Sequence, residues 1–322
     1  PVTQGLHRKT GHMEFSLFER LMAEIGDYLF LILLWDWGEP LMNPAIYDMI
    51  SSARSRGIRT VTSTNAHLLA APDRAERLVR SGLDSLIVAL DGISQESYTK
   101  YRKSGSLEKA LQGIRNVVAA KGRLQSSTPL INLRFIPMRH NEHELDDLID
   151  LAVSLDVDVL SIKTLNPASN DMYNISRREI ETNTEFLPLS PDLRRFQYNT
   201  QQEAARRIRR APPCKNPWNT PTVHWDGTVS PCTYDYEERF PLGRLTEQRF
   251  KDIWRGPAYD RFRRNLKANW PEIPLCGNCS YAFEGGSCWN ETIARVFYQQ
   301  RVAHLMSLVE SRAGRKPLPI SP

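Results

Sequence analysis

The residues best suited to chemistry are five cysteines, all in the last third of the chain: Cys214, Cys232, Cys276, Cys279 and Cys288. The Asp226-Gly227 pair between two short apolar runs predicts a hairpin that brings Cys214 and Cys232 together, and Cys276 and Cys279 form a CxxC turn. Four thiolates in this arrangement suit either a zinc ion or an iron–sulfur cluster, and the spacing does not choose between them. Cys288 is left over. An alternative metal ligand and a catalytic thiol both stay open for it, and a cysteine without a chemical role is the favoured interpretation.

Polar residues at the ends of predicted strands form a second candidate site. They are Asp36 to Pro40 after the first strand, Ser63, Thr64 and Asn65 at the end of the second, Asp91 and Gly92 after the third, Arg134 within the fourth and Lys163 at the end of the fifth. Parallel α/β folds bind their ligands at the carboxyl ends of the strands. We therefore expect these residues to share one ligand-binding edge, although each alone also fits a turn or a cap.

The elements that must position these residues alternate between two hydrophobic periodicities from residue 16 to about 165. Apolar runs at residues 28–35, 58–64, 83–90, 130–138 and 157–163 predict five strands, with helices between them. This alternation implies parallel pairing and either a barrel or a doubly wound sheet, with too few strands to close a barrel of eight. Ser16 with Glu19, and Asn141 with Glu144, predict helix caps.

Composition and charge exclude several classes of protein. The 322 residues are 41% hydrophobic and 25% charged, and 42 Lys and Arg against 37 Asp and Glu give a formal charge of +5. These values are those of a globular protein and exclude collagen-like, disordered and disulfide-scaffold chains. The longest apolar run is far shorter than the roughly 20 residues of a membrane span, and residues 1–16 lack the features of a secretory signal. We therefore expect a cytoplasmic protein with no membrane partner.

Taken in order along the chain, several of these motifs resemble the radical S-adenosylmethionine (SAM) enzymes. The resembling segments are Gly11 to Met13, Trp37 to Leu41, Ser63 to Asn65, Leu90 to Gly92, Tyr98 with Arg102, and Asn141 with Glu144. The spacing of Cys214, Gly227 and Cys232, followed by Leu242-Gly243, Ile253-Trp254 and the CxxC, is similar to the C-terminal SPASM or twitch extension of that family. The resemblance covers nearly the whole chain.

This resemblance implies an α/β fold: a partial (β/α)6 barrel, similar to a TIM barrel, at residues 1–170, a linker at 171–211, a small cysteine-rich SPASM or twitch domain at 212–290, and a C-terminal helix and tail at 291–322. It also implies one auxiliary [4Fe-4S] cluster on Cys214, Cys232, Cys276 and Cys279. Full SPASM domains carry seven cysteines for two clusters, and this chain has five in all. A single auxiliary cluster is therefore expected.

One departure concerns the CxxxCxxC loop that holds the SAM-cleaving cluster in the family, which this sequence does not contain. Pro1 and Gly11 to Met13 resemble residues that follow this loop. We therefore expect the loop, the first barrel strand and a second [4Fe-4S] cluster to belong upstream of Pro1. Without that segment we expect this chain alone to be inactive.

The resemblance also implies site roles, residue by residue. Gly38 and Glu39 resemble the motif that receives the amino group of SAM, and Ser63, Thr64 and Asn65 resemble the segment that faces its ribose. Arg102 is similar to the arginine that reaches the SAM carboxylate, where a planar fork pairs with two oxygens. Arg134 and Lys163 are expected in the same cavity, on that carboxylate or on the substrate. No catalytic residue is assigned.

The activity implied by the resemblance is hydrogen abstraction from a substrate by a 5′-deoxyadenosyl radical that forms on reductive cleavage of SAM. The substrate would be a peptide, a protein side chain or a small metabolite, and the reductant a flavodoxin or ferredoxin. Four protein thiolates leave no iron of the auxiliary cluster open to substrate, which favours electron transfer as its role.

Two other functions stay open at this point. A zinc-ribbon-like binding protein would use the cysteines structurally and present the cluster Arg206, Arg207, Arg209 and Arg210 to nucleic acid or an acidic peptide. No aromatic residues are interleaved with these arginines, which disfavours nucleic acid. A degenerate, non-catalytic relative of the radical SAM enzymes would account for the absent loop.

Overall fold

The computed structural model of the protein describes residues 6–166, 184–195, 214–277, 279 and 282, and the backbone of residues 291–296. Cys288, the arginine cluster at residues 206–210 and most of the predicted linker at 171–211 lie outside the described residues. The described residues fall into an α/β part before residue 167 and a cysteine-containing part after residue 213.

The α/β part is built on five parallel strands: β1 (Leu31–Leu33), β2 (Arg59–Thr64), β3 (Ser85–Ala89), β4 (Leu130–Phe135) and β5 (Val159–Lys163). They lie side by side in chain order. Consecutive order is the topology of a barrel wall, whereas a doubly wound sheet reverses its strand order at a switch point. The partial barrel is therefore confirmed, and the doubly wound alternative does not apply.

A further strand, β9 (Glu291–Val296), pairs antiparallel with the outer edge of β5. The predicted C-terminal helix is wrong for residues 291–296, which form this strand instead. The segment contains the β-branched residues Thr292, Ile293 and Val296, which favour strands, and an open sheet edge offers unpaired backbone groups. The rest of the predicted helix and tail, residues 297–322, lies outside the described residues.

Helices precede and connect the strands: α1 (Phe15–Ile25), α2 (Ile46–Ser55), α3 (Pro72–Ser81), α4 (Gln95–Tyr101), α5 (Leu107–Arg123) and α6 (Leu145–Ser154). Helix α3 begins at a proline and is followed by Gly82, whose φ of +80° suits glycine. The predicted cap of α1 by Ser16 and Glu19 is wrong, because the helix begins at Phe15. Glu19 instead pairs with Arg56, the residue that follows α2, at 2.9 Å.

The main core lies between the sheet and the helices that cover one of its faces. Strand residues such as Leu86, Val88, Ile131, Leu133 and Leu160 pack there with Leu78, Ile114, Val117 and Leu148 of the helices. Alternate residues of a strand point to opposite faces, so their neighbours along each strand face the other, concave side. Ser63, Asn132, Arg134 and Ser161 belong to that second set.

The cysteine-containing part combines a three-stranded antiparallel sheet with short helices: β6 (Thr222–Val223), β7 (Thr228–Ser230), β8 (Gly243–Arg244), α7 (Asn216–Asn219), α8 (Phe250–Trp254), α9 (Pro257–Asn269) and α10 (Pro274–Gly277). The predicted hairpin is confirmed, since Val223 pairs with Val229. Its turn runs from His224 to Gly227, whose φ is +86°. Strand β8 is an addition that the sequence pattern did not indicate.

The two parts share a hydrophobic core. Phe18 and Met22 of α1 pack in one cluster with Val229 of β7 and with Phe250 and Ile253 of α8. This shared core holds the cysteine-containing part against α1. No helix in the described part of the chain is both long and apolar enough to cross a membrane.

Candidate functional site

The loop after β1 contains Gly38 and Glu39, and the Glu39 carboxylate ties it to the end of β2. That carboxylate accepts hydrogen bonds from the Thr64 hydroxyl at 2.8 Å, from the Asn65 backbone N–H at 2.9 Å and from the Leu41 backbone N–H at 3.2 Å. Burial raises the pKa of Glu39, and these three donors oppose the rise. A Cβ at Gly38 would meet no atom within 4 Å, so the backbone there is open to a ligand.

The three predicted ribose-facing residues do not act alike in this structure. Thr64 is buried, and its hydroxyl is used in holding Glu39. The Asn65 side chain accepts a hydrogen bond from the His67 backbone N–H at 2.9 Å. Ser63 is half-buried and lies on the concave side of the sheet, opposite to Thr64. Thr64 therefore positions Glu39. Of the three residues, Ser63 is the one on the face of the sheet that is directed toward the barrel interior.

Arg102 is bound to the residue at the end of β3. Its Nε and Nη2 atoms both lie 2.7 Å from Oδ2 of Asp91, which is fully buried. The Asn141 side chain donates a hydrogen bond to the Asp91 carbonyl at 3.0 Å. Asp91 thus orients Arg102, and a turn role for Asp91 does not account for this contact.

Asn141 and Glu144 do not cap α6 as predicted. Oδ1 of Asn141 accepts a hydrogen bond from the Met138 backbone N–H at 2.6 Å, and Glu144 accepts one from the Ile93 backbone N–H at 3.1 Å. Both residues are buried. The bonds from Asn141 to the Asp91 carbonyl and from Ile93 to Glu144 therefore join the loops after β3 and β4, because long-range partners in a buried site replace a local cap.

Arg134 and Lys163 lie on the concave face of the sheet. Arg134 pairs in register with Ala89 on one side and Ser161 on the other, and Lys163 follows Ser161 by two residues. The Ser161 hydroxyl donates to Oδ1 of Asn132 at 2.7 Å, so Ser161 and Asn132 lie on the same face of the sheet. Arg134 and Lys163 each follow one of these residues by two positions and therefore share that face. The register thus brings both predicted cations to the same side of the barrel wall.

The four predicted cysteine ligands are collected in one aromatic-rich region. Cys232 and Cys276 pack against a cluster of Tyr236, Leu266, Ile273 and Leu275, and none of the four cysteines is in a disulfide. The backbone N–H of Cys279 donates to the Cys276 carbonyl at 3.1 Å, which closes the CxxC turn. A Cβ at Gly277 would lie 2.0 Å from the Pro271 carbonyl oxygen, so only glycine fits inside that turn.

The thiols fit a cationic centre that would share them. Burial raises the pKa of Cys232 and of Cys276, and the neighbouring cysteines raise both further. Four such thiols cannot ionise together unless positive charge lies among them, which iron or zinc supplies. No three His, Cys, Asp or Glu side chains of the described residues meet closely enough to share one ion. In a [4Fe-4S] cluster the four thiolates bind different irons and need not meet at one point.

A polar cluster that the sequence pattern did not indicate joins the loop after β1 to the hairpin of β6 and β7 and to the residues that follow it. The Thr233 hydroxyl donates to Oδ1 of Asp36, and Nε1 of Trp37 donates to the Thr233 carbonyl at 2.7 Å. Nδ1 of buried His224 lies 3.7 Å from Oδ2 of Asp36 and 3.6 Å from Oε1 of Glu238. The loop that carries Gly38 and Glu39 is therefore attached to the residue that follows Cys232.

The hydrogen bonds of this cluster leave one nitrogen of His224 facing two carboxylates. The Ser230 hydroxyl donates to Asp235 at 2.9 Å, so its oxygen accepts from Nε2 of His224 at 3.0 Å. Oδ2 of Asp36 is buried and receives no hydrogen bond from the described residues. The carboxylate oxygens of Asp36 and Glu238 and Nδ1 of His224 are all acceptors when none of them is protonated, so their contact requires that one of them carries a proton. Asp36 and His224 are 188 positions apart, and no local pattern could have paired them.

Comparisons with known proteins identify the two parts separately. The model of the radical SAM superfamily matches residues 5–152, and that of SPASM, described as an iron-sulfur cluster-binding domain, matches residues 214–280. Among curated proteins, the tungsten-containing aldehyde ferredoxin oxidoreductase cofactor-modifying protein of Pyrococcus furiosus is 23% identical over 84% of this chain and 80% of its own length. Alignments with further curated relatives span about half of those proteins or less.

Solved structures share the fold. Streptococcus suis SuiB bound to S-adenosylmethionine superposes with a TM-score of 0.55 and 14% identity over 85% of this chain and 67% of that chain. The structure of anSMEcpe with bound AdoMet and the Kp18Cys peptide superposes with a TM-score of 0.52 and 13% identity over 95% of this chain and 91% of that chain. Identities this low establish a common fold and no more.

The two matched domains agree with the geometry. The radical SAM match covers the barrel part, and the match to the iron–sulfur cluster-binding domain covers the part that contains Cys214, Cys232, Cys276 and Cys279. Enzymes of this class need a reductant, and SAM and iron–sulfur clusters are their cofactors. The chain belongs to the radical SAM superfamily and carries a SPASM iron–sulfur cluster-binding domain.

Proposed function

We propose that this protein abstracts a hydrogen atom from a peptide, a protein side chain or a small metabolite, with the auxiliary cluster accepting or returning one electron. When SAM and its cluster are bound, they supply a 5′-deoxyadenosyl radical. The observation that carries the proposal is the contact between the two sites. Trp37, adjacent to Gly38, packs in the same hydrophobic cluster as Cys232 and Cys276 and lies 5.3 Å from the Tyr236 ring.

The residues of the barrel edge have separate tasks in this proposal. Glu39 holds the β1 loop in place and leaves the open backbone at Gly38 for the amino group of SAM. Arg102, oriented by Asp91, offers its remaining N–H groups to the SAM carboxylate. Arg134 and Lys163 place positive charge on the concave face for that carboxylate or for an anionic group of the substrate.

The proposed electron role of the auxiliary site follows from its ligand set. Cys214, Cys232, Cys276 and Cys279 supply one thiolate for each iron of a [4Fe-4S] cluster, so no iron is left for substrate. Cys232 and Cys276 are partly buried against aromatic residues, which would limit the contact of a cluster there with water. We propose a flavodoxin or ferredoxin as the electron carrier and the cytoplasm as the compartment.

A modification of a macromolecule or of a cofactor is consistent with the relatives. The Pyrococcus furiosus relative is named a cofactor-modifying protein, and the anSMEcpe structure contains a peptide. These names support a maturase whose substrate is a peptide, a protein or a cofactor precursor.

Metal analysis of anaerobically purified protein tests the proposal. We expect about four iron and four sulfide per chain for one [4Fe-4S] cluster, rising to about eight of each when an upstream CxxxCxxC segment is present. The double variant Cys276→Ser/Cys279→Ser should lose the auxiliary iron, and Cys288→Ser, at the remaining cysteine, should keep it. One zinc ion without sulfide would overturn the enzyme assignment and favour a zinc-ribbon-like binding protein.

A further inference from the structure

The cysteine-containing part carries a concentrated positive charge. Residues 244–267 contain eight Arg or Lys and three Asp or Glu, a surplus of five that equals the formal charge of the whole chain. Residues 6–166 of the barrel, by contrast, contain nineteen basic and twenty acidic residues. The positive charge of the protein is therefore concentrated on α8, α9 and the residues just before them.

Much of this charge is exposed and only partly neutralised. Asp252 pairs with Arg249 at 3.0 Å and Asp260 with Arg264 at 3.1 Å, and both pairs lie at the surface. Lys251, Arg255 and Arg261 are also exposed and form no ion pair within the described part of the chain. The segment therefore presents a net positive surface to solvent.

Helix α9 directs the side chains of Arg261 and Arg264 away from the protein interior. Its buried residues are Tyr259 and Leu266, with Phe262 partly buried between them. At 100° per residue, Arg261 and Arg264 lie on the side of the helix opposite to these three. We call the surface around Arg261 and Arg264 the basic face.

The inner side of α9 covers the auxiliary site. Phe262 and Leu266 belong to the cluster against which Cys232 and Cys276 pack. Arg263 donates a hydrogen bond from Nε to the Pro217 carbonyl at 2.9 Å, which ties α9 to the segment after Cys214. Because a helix with its side chains is about 10 Å across, the basic face lies about one helix diameter from the cysteines.

We propose that the basic face is the docking surface for an acidic one-electron carrier protein that exchanges electrons with the auxiliary cluster. The inference rests on the proposed function, because it needs the cluster. The carrier is oxidised by one electron when the cluster is reduced by one, and the reverse transfer returns that electron, with no bond formed or broken. Opposite charge on the two surfaces accelerates their encounter.

The position of the basic face favours an electron carrier over other acidic partners. The basic face lies on the solvent side of α9, the helix that covers the cysteines, whereas a substrate must reach the barrel edge near Gly38 and Arg102. None of the exposed large hydrophobic side chains in the described residues lies on α8 or α9, so no stacking platform for bases accompanies the charge. A carboxylate-rich protein surface is the partner that such a face fits.

The test measures how fast a reduced acidic flavodoxin reduces the auxiliary cluster of the full, cluster-loaded protein, followed by the visible absorbance of the cluster. The rate constant should fall about tenfold or more between about 0.01 M and 1 M salt, where the Debye length falls from about 30 to 3 Å. Arg261→Glu/Arg264→Glu should be about tenfold slower than the wild type at low salt and equal to it at high salt. The matched control, Lys109→Glu/Arg115→Glu on α5, should behave as the wild type.

Two further measurements separate docking from other effects. The variant should retain the iron and sulfide content, the cluster reduction potential and the rate of reduction by photoreduced deazaflavin, a small molecule that needs no docking face. If charge reversal leaves the flavodoxin rate unchanged, or if it abolishes binding of single-stranded DNA instead, the inference is overturned. The wild-type salt dependence is a readout that requires no variant. A wild-type protein without iron and sulfide would refute the proposed function itself.

Discussion

Replacing Asp36 with asparagine isolates the cost of burying one carboxylate where the barrel meets the auxiliary domain. Burial raises the pKa of Asp36 from 3.8 to about 7, while the Thr233 hydrogen bond and the charge of Arg8 oppose the rise and the charges of Glu238 and Asp235 add to it. Burial also lowers the pKa of His224 to about 4, with Arg8 adding to the fall and Asp226 opposing it. At pH 5 to 6, which lies below the raised pKa of Asp36 and above the lowered pKa of His224, the proton is on Asp36 and His224 is neutral.

The sign of the pH effect follows from the raised pKa of Asp36. The folded protein binds this proton more tightly than the unfolded chain, so the stabilisation is complete below about pH 4 and is lost as the pH rises through about 7. The difference between 3.8 and about 7 corresponds to about 4 kcal/mol of unfolding free energy. Asparagine keeps the shape of the protonated acid and cannot ionise. Asp36→Asn should therefore be more stable than the wild type by up to about 4 kcal/mol above pH 7.

The assay is urea unfolding of both proteins at about pH 5, 7 and 8.5, followed by tryptophan fluorescence. The lowered pKa of His224 removes stability as the pH falls from 6.5 toward about 4, and it does so in both proteins, so it cancels in the difference. Asp150→Asn, at an exposed position of α6, is the control and should change stability little at any pH. A variant less stable than the wild type at pH 7 would refute the reasoning. It would mean that ionised Asp36 pairs with a protonated His224, which asparagine leaves without a counter-charge.

Three further substitutions test the proposed sites. Glu39→Gln exchanges one acceptor oxygen for an amide donor, so we expect about tenfold weaker SAM binding by equilibrium dialysis, and unchanged binding would show that the loop does not depend on this carboxylate. Arg102→Lys removes the planar fork, so the SAM dissociation constant should rise about tenfold at constant iron content, and a fall in iron content would indicate a structural role instead. Gly277→Ala would place a Cβ 2.0 Å from the Pro271 carbonyl oxygen, whereas Gly122→Ala meets no atom within 4 Å. The first should cost about 1–3 kcal/mol and lower the iron and sulfide content, while the second should not, and equal iron in both would contradict the packing argument.

Hydrophobic periodicity was sufficient to locate the five parallel strands, because alternation between strand and helix periods is a property of neighbouring residues. It was not sufficient to set their ends. The apolar run at residues 28–35 contributes only Leu31–Leu33 to the sheet, where its partners in β2 are Arg59 to Val61. Strand length depends on what the adjacent strand offers, and that partner is distant in sequence.

In the cysteine-containing part, too, some features have a local sequence signal and others depend on tertiary packing. The Asp226-Gly227 turn and the CxxC turn are local conformations, so neighbouring residues alone indicate which cysteines come together. The attachment of Asp36 and Trp37 to Thr233 has no such local signal. Helix α9 likewise has the pattern of an ordinary amphipathic helix, and only tertiary packing places it over Cys232 and Cys276.

Local chemistry in the sequence thus determined the strand and helix pattern, the two turns that gather the cysteines, and the candidate SAM residues by their resemblance to a family. Tertiary structure decided that Thr64 holds Glu39, that Asp91 orients Arg102, and that Asn141 and Glu144 join two loops instead of capping a helix. The physical reason is that a polar side chain in a buried site is satisfied by whichever partner packing brings within reach. A distant partner fixed by the fold displaces the nearby partner that local spacing suggests.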